Sequence, residues 1–139
     1  MDFAKALEFA LDLQNGVLTT QKRDGRPQLS NITYHLDTDD VFRISITAAR
    51  AKYRNMQRDP RISLHVARPD FWAYAVFEGD ANLSAIAADP HDEVVDELVA
   101  LYRHVAGEHP NWDDYRAAMV ADQRLVVRLH PTHVYGMLP

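Results

Sequence analysis

The sequence predicts a mainly β, α+β fold: a small antiparallel barrel of six to seven strands with four helices packed outside it. Three observations predict this. Apolar and polar residues alternate with a period of two through several short runs, most cleanly in "VFRISIT". The early runs are joined by connections too short for a parallel crossover, which leaves antiparallel pairing. Gly79 sits inside a long strand-like run, where a bulge or bend lets a sheet curl.

Taken in order, the chain opens with a helix. Asp2 is placed to cap it, and Phe3, Leu7, Ala10 and Leu11 recur on one face. Asn15-Gly16 reads as the turn that ends it. "GVLTTQK" is a strand, Asp24-Gly25 a hairpin turn, and "QLSNITYHLD" the return strand. On that strand Leu29, Asn31, Thr33 and His35 share one face, and Ser30, Ile32, Tyr34 and Leu36 the other. "VFRISIT" then offers Phe42, Ile44 and Ile46 to the core, and Arg43, Ser45 and Thr47 to the opposite side. A short helix, "RAKYRNMQR", stops at Asp59-Pro60, because a proline disfavours helical backbone in the residue before it. "RISLHVA" is a strand with Ile62, Leu64 and Val66 inward, and "FWAYAVFEGDANL" reads as one long strand. The longest helix is capped by Asp89, carries Pro90 and Glu93 in its first turn, and ends at Gly107. Its apolar stripe is Val94, Leu98, Leu101, Tyr102 and Val105. "NWDDYRAAMVAD" is a further helix, and "RLVVRLH" and "HVYG" are closing strands. No repeat, linker or low-complexity run interrupts residues 1–139, so a single domain is expected.

Bulk composition excludes several function classes. The net charge of -5 and the mixture of signs argue against nucleic-acid binding. With no cysteine there is no disulfide, thiolate nucleophile or thiolate metal site, and a reducing cytoplasmic setting is expected. Asp2, Lys5, Glu8 and Asp12 make the N-terminal segment neither a signal peptide nor a membrane span. "NIT" at Asn31 matches a glycosylation pattern without a secretory context and is set aside. His130 and His133 lie three apart at a proline-bounded strand with no carboxylate to complete a metal set, so no metal is expected. No P-loop, nucleophile elbow or dinucleotide glycine motif is present.

The stretch with chemical content is "SITAARAKYRN", Ser45 to Asn55. A strand with Ser45 and Thr47 on its polar face runs straight into a helix start, where free N–H groups and the helix dipole attract anions. Arg50 and Lys52 stand at that start, and Asn55 follows Lys52 by one turn. Cations there oppose the dipole, which favours acids by about 0.3–1 kcal/mol. A bound anion between them would resolve the conflict. A plain solvated basic face is the other reading, since Arg54, Arg58 and Arg61 continue the run. Trp72 and Tyr74, two apart, fit either a structural core or rings that stack on a planar ligand or seal a subunit contact.

The order "GVLTTQKRDGRPQLSNITYHLD", "ISITAARAKYRNMQRDPRISLHV", "FWAYAVFEGDANL" resembles the pyridoxamine 5′-phosphate oxidase-like superfamily, and most closely its branch that uses the deazaflavin coenzyme F420. The tail from Ala100 to Gly136 resembles that branch too. The resemblance implies a split β-barrel of the FMN-binding type, a homodimer with cofactor sites at its interface, and hydride transfer from reduced F420 to an electron-poor small molecule. It implies that Arg50 and Lys52 grip the cofactor phosphate, with Ser45, Thr47 and Asn55 beside it. Gln28, Ser30 and Asn31 would lie along the ring system, and Trp72 and Tyr74 would reach the cofactor from the partner subunit. The C-terminal arginine and tryptophan pattern of the true pyridoxamine phosphate oxidases is absent from "RLHPTHVYGMLP", which argues against oxidation of a B6 vitamer. FMN in place of F420, and cofactor binding or carriage without turnover, remain the alternatives. Tyr34, His35 and Tyr135 are possible proton donors, each equally readable as structural, and solvent could serve instead.

Overall fold

A computed structural model describes residues 1–139. Its elements are α1 (Phe3–Leu11), β1 (Asn15–Gln21), β2 (Pro27–Leu36), β3 (Phe42–Thr47), α2 (Ala51–Arg58), β4 (Arg61–Ala67), β5 (Tyr74–Leu83), α3 (Glu93–Ala106), α4 (Trp112–Ala121), β6 (Arg124–Leu129) and β7 (His133–Met137). All strand pairings are antiparallel. The order β4-β1-β2-β3-β6-β5 closes on itself through β4–β5, giving a six-stranded barrel, and β7 adds to β5 as an extra strand. The expected split-barrel architecture is borne out.

Inward residues of alternate positions fill the barrel: Leu18, Tyr34, Phe42, Ile44, Leu64, Phe77, Leu125, Val127 and Leu129 are buried in one cluster. Helix α1 adds Ala6, Leu7 and Ala10 to it, and the Tyr34 hydroxyl donates to the Ala10 carbonyl at 2.8 Å. The other helical layer, α3 with α4, lies outside the barrel against β2, β3 and β6, where Val126 meets Val95, Leu98, Val99 and Met119.

Closure depends on β5 changing partners. Its first half pairs with β7 as far as Glu78↔His133, and its second half pairs with β6 from Ala81↔Leu129. Gly79 lies at that change, and a Cβ there would sit 2.9 Å from Leu129 Cδ1 and 3.0 Å from the His130 carbonyl. The β6–β7 corner crosses so closely that only glycine fits. There is no bulge, since β4 stays in register from Arg61↔Asp80 to Ala67↔Tyr74.

Several boundaries depart from the sequence expectation. Leu11 is 57% exposed, and Ala6 takes its place on the buried face of α1. Asn15 and Gly16 are not a turn but the first paired residues of β1, opposite Thr33 and Ile32. Asp92, not Asp89, caps α3, accepting from the Val95 N–H at 2.8 Å, while Asp89 forms the turn before it. Phe71 and Trp72 precede β5: Phe71 has φ 65, and Asp70 Oδ1 accepts the Trp72 N–H at 3.0 Å, fixing a tight turn where a strand start was expected.

Candidate functional site

Between the outer face of β2, β3 and β6, the start of α2 and the α3–α4 layer lies a cavity of about 970 Å³. Its position follows from strand alternation. Phe42, Ile44 and Ile46 point into the barrel, so Ser45 and Thr47 point out, and Ser45 and Thr47 pair with Val126 and Arg124. Of the residues singled out in the sequence, Gln28, Ser30, Asn31, Ser45, Thr47, Arg50 and Lys52 line this cavity. Asn55, Trp72 and Tyr74 do not.

The electrostatics at the α2 end are one-sided. Asp2, Asp92 and Asn111 cap the other three helices, but Arg50 occupies the cap position of α2 without a side-chain cap, and no acid stands in the first turn. Burial, then the charges of Arg50 and Arg124, lowers the Lys52 ammonium below its ordinary value. Arg124, a third cation, lies in the opening residue of β6 and passed unremarked in the sequence. Its buried Nε has no hydrogen-bond partner, and its Nη1 reaches the Ser45 carbonyl and Oγ only at 3.4 Å. The lining includes no Asp or Glu. Three cations line one cavity without an acid among them, and one of them carries an unanswered buried donor, so the charge here is uncompensated from within the chain. Arg50, Arg54, Arg58 and Arg61 are exposed, as a solvated basic face requires, whereas Lys52 is half-buried, and so is Arg124.

Asn55 supports this wall from behind. It is buried, its Nδ2 donates to Gln28 Oε1 at 3.0 Å and Thr20 Oγ1 at 3.1 Å, and its Oδ1 accepts from Arg58 at 2.9 Å. Gln28 is thereby held at the cavity edge. The opposite wall is apolar and aromatic, built from Leu101, Tyr102, Val105, Ala106, Tyr115 and Met119. The Tyr115 hydroxyl donates to the Leu98 carbonyl at 3.0 Å, and burial pushes its phenol up to about 12. Tyr102 packs against Tyr115, His109 and Trp112 with centroids 5.0–5.8 Å apart.

The three possible proton donors lie elsewhere. Tyr34 is inside the barrel, where burial raises its phenol. His35 stacks on His104 in a separate hollow, and Tyr135 is on the extra strand β7. Trp72 is 77% exposed, and the Tyr74 ring lies 5.4 Å from that of His65. Phe71, beside Trp72, walls a shallow hollow that shares Asn31 and Thr33 with the main cavity. No group of three or more His, Cys, Asp or Glu side chains is placed to hold a metal ion. No helix is long and apolar enough to cross a membrane.

The pyridoxamine 5′-phosphate oxidase family model matches residues 4–138. The chain belongs to that family. Solved structures agree with the fold. A conserved hypothetical protein from Mycobacterium tuberculosis superposes with a TM-score of 0.75 at 21% identity, covering 100% of this chain and 89% of its own. An F420 reductase superposes at 0.69 and 25% identity, covering 92% and 94%. A pyridoxamine 5′-phosphate oxidase-related, FMN-binding protein from Nostoc punctiforme superposes at 0.66 and 16%, covering 96% and 80%.

Proposed function

We propose that this protein is a cytoplasmic, coenzyme F420-dependent oxidoreductase that reduces an electron-poor small molecule. One observation carries the proposal: Arg50, Lys52 and Arg124 converge on one cavity with no acid to neutralise them. Arg50 offers a planar fork and Lys52 a mobile point charge to the cofactor's phosphate, and Arg124 Nε supplies the donor now lacking an acceptor. Ser45 and Thr47 add hydroxyl donors on the strand beside them. Gln28, fixed by Asn55, with Ser30 and Asn31, edges the space where a planar ring would lie. When bound, the reduced deazaflavin supplies the hydride, and the protein supplies position, charge and exclusion of water. The F420 reductase, 25% identical over most of this chain, supports that cofactor.

FMN is the second reading, because the cluster recognises phosphate and an FMN-binding neighbour shares the fold. A second copy of the chain completes the account as a homodimer. Trp72, Phe71 and Leu29 are 77%, 80% and 64% exposed, and neither Trp72 nor Tyr74 lines the cavity of its own chain, which supports a role for that pair in the partner's site. Spectroscopic titration with F420 and with FMN tests the cofactor. Saturable binding of F420 with weaker binding of FMN is expected, and the reverse preference overturns the assignment. Reoxidation of bound, reduced F420 by a panel of quinones and enones then separates enzyme from carrier. No acceleration over free cofactor means carriage without turnover.

A further inference from the structure

We propose that the end of the barrel formed by the β1–β2 turn and helix α2 docks on an anionic lipid surface, attaching the protein peripherally to a membrane. The inference is independent of the cofactor reading, because the residues that carry it line none of the three hollows described above. The first observation is where cations lack acids. Arg43, Arg61, Arg68, Arg103, Arg116 and Arg128 each pair with a carboxylate. Lys22, Arg23, Arg26, Arg54 and Arg58 pair with none, and all five are exposed. They are also neighbours. Arg58 Nη2 donates to the Gln21 carbonyl at 3.0 Å, which ties the end of α2 to the root of the β1–β2 turn. Arg54 stands four residues before Arg58 on α2, a like-charge spacing that weakens a helix. The turn is held by the Lys22 N–H on the Arg26 carbonyl and the Gly25 N–H on the Lys22 carbonyl, both at 2.9 Å, with Gly25 at φ 87. Its one acid, Asp24, accepts the Arg26 backbone N–H at 3.0 Å, and Asp59 after α2 is taken by Arg61 at 2.7 Å.

The second observation is the shape and setting of this patch. Five cations that line no hollow suit a plane, since small ligands seek concave sites. Phe71 and Trp72, the exposed rings that could stack on bases, stand at the opposite end of the barrel, where Phe71 shares a hollow with Asn15 and Gly16. A rigid partner must match the spacing of the five charges, whereas lipid headgroups diffuse laterally to meet them. The chain carries a net charge of -5, so the rest of it is acidic and is turned away from an anionic bilayer. Clusters of about four to eight Lys and Arg bind anionic leaflets, each contributing about fivefold near the surface.

Vesicle flotation of the full chain tests the proposal, with vesicles of equal parts phosphatidylglycerol and phosphatidylcholine and with phosphatidylcholine alone. Binding to the first and not to the second is expected at about 0.1 M salt, with loss near 1 M, where the screening length falls from about 10 to about 3 Å. Arg23→Gln, Arg26→Gln and Arg54→Gln together should weaken binding at least tenfold, whereas Lys5→Gln on α1 should stay within about twofold of the parent. Arg23→Lys, Arg26→Lys and Arg54→Lys together should bind like the parent, because a bilayer reads charge and not the guanidinium fork. No preference for the anionic vesicles overturns the proposal, as does loss of binding in the lysine variant. Release from the vesicles on adding F420 would assign the patch to that ligand and overturn it too. Tighter binding of a DNA duplex or of polyglutamate than of the vesicles, at the same salt, would assign the patch to nucleic acid or to an acidic protein instead. None of these failures touches the cofactor reading, which the titrations above decide.

Discussion

Lys52 shows how a residue proposed to bind a ligand can cost a fold stability. Half-buried and facing Arg50 and Arg124, its ammonium is lowered by burial first and by those two charges next. Lys52→Ala should weaken binding of the phosphate-bearing cofactor at least tenfold, about 1.4 kcal/mol, by isothermal titration. Without cofactor its melting temperature should equal or exceed the parent's, because a repelled cation has been removed. A lower melting temperature with unchanged affinity would make Lys52 structural. Asn55 should behave in the opposite way. Asn55→Ala leaves Gln28 and buried Thr20 without their Asn55 donor, at a cost of about 1–3 kcal/mol in denaturant unfolding, and should also loosen cofactor binding through Gln28. The sequence made Arg50, Lys52 and the outward Ser45 and Thr47 visible, since helix start and strand parity are local. Arg124 was not legible. It joins them through the β3–β6 register, Thr47↔Arg124, and nothing within six residues of it signals that pairing. The clue that could have raised it is "QRLVVRLH", where Arg124 and Arg128 share the face that Val126 turns toward the helices.

Elements carry the second lesson. Helix α3 was predicted from its caps and stripe, yet its cap moved from Asp89 to Asp92, because Pro90 and His91 belong to the preceding turn. Val95 and Val99, outside the expected stripe, lie on the buried face with Leu98, and Tyr102 and Val105 line the cavity. Leu101 lines both the main cavity and the hollow in which His35 and His104 stack, 4.0 Å apart and 2° from parallel. Burial, then His104, lowers the His35 imidazole; Arg43 adds to this, and Asp37 and Asp39 oppose it. The nearby acids are already engaged: Asp37, Asp39 and Glu97 with Arg43, and Glu97 also with Arg128. Burial would raise Glu97, but those arginines together hold its carboxyl below the usual value. A histidine lowered in the folded state binds fewer protons there than in the unfolded chain. Its contribution to stability is therefore present above the unfolded value, about 6.5, and is lost as pH falls through the lower folded value. Melting temperature should drop on acidification from about pH 7.5 to 5.5, and His104→Phe, which keeps a facing ring without its charge, should shrink the drop. An equal drop in both proteins would show that this stack does not sense pH.

At the scale of the molecule, the barrel was legible because period-two runs and short connections constrain pairing. Where strands change partners was not. Trp72 and Phe71 read as strand because aromatic runs favour strands, but Asp70 turns the chain there and leaves both rings outside. Gly79→Val should destabilise the protein by about 1–3 kcal/mol or more, since the new side chain meets the His130 carbonyl and Leu129 where the barrel closes. Light scattering should give twice the mass of 15.9 kDa, and Trp72→Asp should shift it toward the monomer. A parent that stays monomeric would remove the role assigned to Trp72. The central claim concerns the three cations, and a crystal structure of the protein with bound F420 tests it most directly. The account predicts phosphate oxygens within hydrogen-bond distance of the Lys52 ammonium and of the Arg50 and Arg124 guanidinium groups. A phosphate bound against any other surface, with those three side chains facing only solvent, would contradict it.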